Sequence, residues 1–181
     1  MNEYLVFFTS FDLIISIIFG FLTIFLSFIL LKRFFKLKNL KDFGRVSNAA
    51  EALFLGVSIF SITFLTQSSI QPAIDTLRTF VFSQGTVTLK IITKSLLYFL
   101  GFYLISLSIS IFVILITIFI YLKFTKTVDE VSEMKKNNIS ISILVSIMLL
   151  SIVIFIKPAV EHFVSGLVNY KLLETSKIID G

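Results

Sequence analysis

Four apolar stretches, each closed off by polar or charged residues, divide the chain at about Leu13 to Leu31, Ala52 to Ile70, Leu96 to Leu122 and Ile139 to Ile156. Each holds roughly 18 residues or more, enough at about 1.5 Å per residue to cross a hydrocarbon core of roughly 30 Å. Backbone N–H and C=O groups find no partner in lipid, so such a run is helical rather than an open strand. The first stretch follows MNEYLVFFTSFD, which lacks a basic leader region, and no small-residue cleavage site follows it. It is therefore expected to stay as a helix. The pattern predicts an all-α integral membrane protein with four transmembrane helices.

The polar gaps set the topology. Lys32, Arg33, Lys36, Lys38, Lys41 and Arg45 follow the first span, and Lys123, Lys126, Lys135 and Lys136 follow the third. That is ten of the sixteen basic residues, which places both loops in the cytoplasm and both termini outside. Residues 71–95 join the halves and are neither long nor apolar enough to span. They read as an amphipathic surface segment broken at Gly85, in preference to a re-entrant loop. The organisation expected is a first transmembrane hairpin over 1–70, an extracytoplasmic connector over 71–95, and a second hairpin with a C-terminal tail over 96–181.

Composition supports the bilayer as solvent: 56% of residues are hydrophobic and 15% charged, with a mean hydropathy of +1.00. A soluble domain carrying that much apolar surface aggregates. The formal charge of +5 is explained by the loops, so no nucleic-acid partner is expected. LKRFFKLKNLK suits anionic headgroups of the lipid bilayer. Cysteine and tryptophan are absent, which removes disulfides and thiolate chemistry and leaves Tyr and Phe as interfacial anchors.

A shift of 90 residues lays the first hairpin on the second, with Ile15 on Ile105, Ile24 on Ile114, Phe34 on Phe124, Asn48 on Asn138 and Ser61 on Ser151. Small residues coincide as well: Ser16 and Gly20 fall on Ser106 and Ser110, and Ala52 and Gly56 on Ser142 and Ser146. Helices in lipid associate by close packing, which pairs of small residues four apart allow. Two tandem hairpins running the same way across the membrane form a parallel repeat rather than an inverted one. Asn48 is expected to cap the second helix with Glu51 completing a capping box, and Asn138 to cap the fourth.

The stretch from Asn48 through Ala49, Ala50 and Gly56 resembles the YjfL-like bacterial membrane proteins grouped as domain of unknown function 350. Its members look like tandem helix pairs whose even-numbered helices open on a charged stretch, then Asn-x-Ala-Ala and a Gly-spaced apolar run. The second copy keeps DEVSEMKKNN but has Ile139, Ser140 and Ser146 where Ala and Gly are expected. Taken over Phe11 to Leu167, the resemblance implies this fold and a bacterial inner-membrane location, and implies no established activity.

Candidate chemistry is sparse. His162 stands alone beside Glu161 near a span end, so no metal site is expected. Asp12, Glu51, Asp75 and Glu161 fall at span ends, which argues against a proton relay within one subunit. The many Ser and Thr residues lack a base and are expected to bond backbone carbonyls. With no catalytic residue, cofactor or metal indicated, the expectation is a non-enzymatic membrane component that self-associates or binds a membrane partner. The alternative is a small oligomeric channel or transporter whose pathway one subunit lacks.

Overall fold

The computed structural model describes residues 2–34, 48–85, 87–124 and 130–168. They are helical almost throughout: α1 (Asn2–Phe34), α2 (Ala49–Thr66), a 3-10 turn at Gln67–Ser69, α3 (Ile70–Gln84), α4 (Leu89–Phe124), α5 (Glu130–Lys135) and α6 (Ile139–Gly166). Among the described residues, four helical runs are long and apolar enough to cross a membrane: Leu5–Arg33, Ala49–Gln84, Leu89–Tyr121 and Ile139–Gly166. The described residues thus form an all-helical fold with four helices fit to span a membrane.

The runs outlast the apolar stretches. Nothing from Tyr4 to Phe11 breaks a helix, and α1 runs from Asn2 to Phe34, with Asp12 accepting a hydrogen bond from Ser16 one turn on (3.2 Å). At the other end of the chain α6 carries past Pro158 to Gly166. Pro158 removes one N–H from the ladder, and Lys157 pairs with Glu161 across that turn.

The connector is helical too. After Thr66 the backbone keeps right-handed helical dihedrals through the 3-10 turn into α3. Pro72, Ala73, Leu77, Phe80 and Val81 are buried on one side of α3, which packs chiefly against α4. The Phe80 ring lies 5.8 Å from that of Tyr98, with the Lys94 ammonium 4.9 Å over it. Gly85 ends α3 in the left-handed region (φ 71°), and its N–H bonds Val81 O at 2.9 Å. Leu89–Ser95, counted above with the connector, forms the first two turns of α4.

The centre of the bundle is α2, which packs most extensively on α6, then on α4 and α1. Its small buried side chains, Ala50, Ser58 and Ser61, let neighbouring backbones come close. One apolar core runs from Phe8 and Phe80 at the connector end to Leu31, Tyr121 and Met134 at the basic-loop end.

Candidate functional site

The most densely bonded polar group lies at the basic-loop end, where α2 and α6 start side by side. Four N–H groups at each helix start have no intrahelical acceptor. The Asn48 Oδ1 accepts from Glu51 N–H (2.8 Å), and its Nδ2 donates to the Lys135 carbonyl (3.0 Å) on α5. Asn137, left-handed at φ 66°, accepts from Ala50 N–H (3.2 Å). Asparagine tolerates that conformation better than most side chains. The Ser142 hydroxyl donates to Ala50 O (2.6 Å), tying α6 to α2. Asn138 Oδ1 faces Ile141 N–H (3.4 Å), and its Nδ2 donates to Glu133 Oε2 (3.1 Å). Glu133 also takes a bond from Lys136 (2.8 Å). Those two bonds, Lys136 first, and the Lys136 charge hold its carboxyl below the ordinary range.

Nearer the connector end, α1, α2 and α4 enclose a recess of about 290 Å³ whose polar lining includes Ser16, Thr23, Thr63, Gln67 and Tyr103. Thr23 donates to Phe19 O (2.6 Å). The Tyr103 hydroxyl, 3.1 Å away, is then the donor to Thr23. Edge-on packing of Phe19 against Phe99 (4.3 Å between centroids) closes one wall. Gln67, also in the lining, is exposed, and the Lys157 ammonium lies 4.9 Å over the ring of Phe64. A second recess of about 440 Å³ between α4 and α6 is almost wholly apolar, with Thr117, Tyr121, Leu144 and Met148 among its walls.

The small residues singled out in the sequence divide into two sets. Ser106, Ser110, Ser142 and Ser146 are buried inside the bundle. Ser16 and Gly20 are half-buried at the 290 Å³ recess, whereas Ala52 and Gly56 are exposed. A Cβ added at Gly20 or Gly56 meets no atom within 4 Å, so neither glycine is needed for a close approach within the chain. The hydroxyls divide likewise. Thr66, Ser58, Ser108 and Ser110 bond carbonyls one turn back, and the Thr66 and Ser110 hydroxyls join α2 to α4 at 3.2 Å. Ser27, Ser61, Ser68, Ser95, Ser106 and Ser146 are buried with no hydrogen-bond partner for their hydroxyls.

Thr23, Tyr103 and Asn137 carry contacts that sequence reasoning missed. Their partners lie 80 or more residues away, and no local pattern marks such pairs. His162 is exposed, and among the described residues no three His, Cys, Asp or Glu side chains come together as a metal site.

The model of one family, the Domain of Unknown Function DUF350, matches residues 91–178. Similarity to DUF350 is thus confined to this part of the chain. It takes in α4, α5 and α6, and hence the buried Ser106, Ser110, Ser142 and Ser146 together with the Asn138 cap. The first hairpin, where Asn48, Ala49, Ala50 and Gly56 carry the resemblance noted above, precedes the matched DUF350 residues. No curated protein and no solved structure matches the chain.

Proposed function

We propose that this protein is a non-enzymatic component of the bacterial inner membrane that associates with itself or with another membrane protein through small-residue grooves. The observation that carries this reading is the open space at Gly20 and Gly56, where an added Cβ meets nothing within 4 Å. Small residues four apart admit a close backbone in lipid; Ala52 and Gly56 are exposed on α2, while Ser16 and Gly20 open onto the recess of about 290 Å³. The two hairpins are read as tandem parallel copies, supported by α2 and α6 starting ninety residues apart, at Ala49 and Ile139, each behind an Asn. The basic loops are read as cytoplasmic and the termini as outside. Native mass measurement in lipid, combined with cross-linking in cells, tests the association. Oligomers or a captured membrane partner support it, and monomer with no partner overturns it.

The hydroxyl-lined recess of about 290 Å³ favours a second reading, a small oligomeric channel or transporter. Flux of a small solute into reconstituted vesicles, reduced by Gln67→Leu or Ser106→Val, is its expected signature. Tight vesicles with the native chain count against it.

A further inference from the structure

Six hydroxyl side chains line the recess between α1, α2 and α4, and each has already committed its proton. Ser16 donates to the Asp12 carboxylate (3.2 Å) and Thr23 to Phe19 O (2.6 Å). Thr63 donates to Ile59 O (2.9 Å), Thr66 to Ile62 O (2.8 Å) and Ser69 to Thr66 O (2.8 Å). Tyr103, the donor to Thr23 (3.1 Å), completes the set. A hydroxyl carries one proton and two lone pairs, so these side chains have only acceptor capacity left for an occupant. Thr23, Thr66, Ser69 and Tyr103 are buried at 3% exposure or less, where an unmet polar group is costly.

That pattern discriminates among occupants by their hydrogen bonding. A lipid tail fills volume but donates nothing to the oxygens. A neutral alcohol brings one proton, together with lone pairs that find donors here only in the exposed Gln67 amide. A primary ammonium has three N–H donors and no acceptor, which matches a lining whose hydroxyl protons are spent. Phe19, Phe60 and Phe64 also line the recess, and aromatic faces attract cations. The half-buried Asp12, bonded to Ser16, adds a carboxylate at this end, whereas the Lys157 ammonium over Phe64 is paired with Glu161. A volume of about 290 Å³ lies at the small end of ligand pockets and suits a headgroup or a short-chain amine.

We infer that this recess is a binding site for a primary ammonium group, with the Thr23, Thr63 and Tyr103 hydroxyl oxygens as acceptors. The site requires neither association nor flux and so goes beyond both readings above. The ammonium reaches it either on a lipid, as an ethanolamine headgroup, or on a soluble alkylamine.

The test uses the full chain in nanodiscs of phosphatidylcholine, whose quaternary headgroup carries no N–H. Equilibrium dialysis measures binding of hexylammonium, with hexanol and hexyltrimethylammonium as probes of the same chain length, and empty discs correct for partition into lipid. The expected result is saturable binding of hexylammonium alone. Thr63→Val and Tyr103→Phe each remove one acceptor and nearly preserve shape, and Phe keeps the ring that packs edge-on against Phe19. Each weakens binding by roughly tenfold, the scale of a hydrogen bond to a charged group, while the thermal unfolding midpoint verifies that the fold is kept. Phosphatidylethanolamine doped into the discs then separates the sources. If it competes with hexylammonium and is retained by the chain in preference to phosphatidylcholine by native mass, the ligand is the lipid headgroup; if it does not compete, the ligand is a soluble amine. No saturable binding, equal binding of hexanol or of the quaternary probe, or binding unchanged in both folded variants overturns the inference. None of these outcomes bears on whether copies of the chain associate.

Discussion

Asn48 satisfies two elements with one side chain, accepting from Glu51 N–H and donating to Lys135 O. Asn48→Ala removes a cap worth about 1 kcal/mol and leaves the Lys135 carbonyl without this donor, for a combined loss of about 1–2 kcal/mol. Asn48→Asp keeps the cap and loses the amide donor, so its loss is smaller. Unfolding midpoints in mixed micelles rank the three chains. The cap was legible in the sequence because donor and acceptor are three residues apart. The bonds of Asn48 to Lys135 and of Ala50 to Asn137 span 87 residues and were not. Glu133 adds a pH dependence. Its pKa is lowered, chiefly by the hydrogen bond from Lys136 and then by that from Asn138. What it contributes is therefore present above the ordinary Glu value of about 4.3 and is lost as pH falls through the lowered value. The expected result is faster hydrogen exchange in the first turn of α6 on acidification, after correction for intrinsic rates. Glu133→Gln abolishes that dependence, and an identical pH profile in the two chains refutes the coupling.

Among the elements, the spans were legible and the connector was not. Lipid tolerates only internally bonded backbone, so an apolar run of that length declares itself whatever surrounds it. Residues 70–84 owe their helix instead to burying Ala73, Leu77, Phe80 and Val81 against the neighbouring helices. A hydropathy pattern records that only as a mixture of polar and apolar positions. The break at Gly85 was legible, and its positive φ explains it. Gly85→Ala has open space around its Cβ but must adopt a left-handed conformation that costs roughly 1–2 kcal/mol, while Gly85→Asn costs less. Thermal unfolding of the purified variants separates the two, and equal losses contradict a conformational origin. The small-residue pairs show the same limit from the other side. Spacing put Ala52 and Gly56 in register with Ser142 and Ser146, but only the packing of α2 at the centre decides that the second pair is covered and the first is not.

For the whole molecule, helix length limits which labelling patterns the bundle allows, and the loop charges predict which of them is seen. Lys135 lies beside Asn48 at the start of α2, and Gln84 ends the 36-residue helical run that α2 begins. A straight run of that length measures about 54 Å, longer than a hydrocarbon core of roughly 30 Å, so the two positions lie on opposite sides of any bilayer this bundle crosses. Both side chains are exposed. Lys38 and Lys177, in the sequence beyond α1 and α6, extend the comparison to the first basic loop and the C-terminal tail. With the basic loops in the cytoplasm, an impermeant thiol reagent applied to intact cells labels single cysteines placed at Gln84 and Lys177 and spares those at Lys38 and Lys135. Labelling of Lys38 and Lys135 alone inverts the orientation and preserves four spans. Labelling of Gln84 together with Lys135 is incompatible with the bundle itself, because no single crossing of the α2–α3 run leaves both ends on one side.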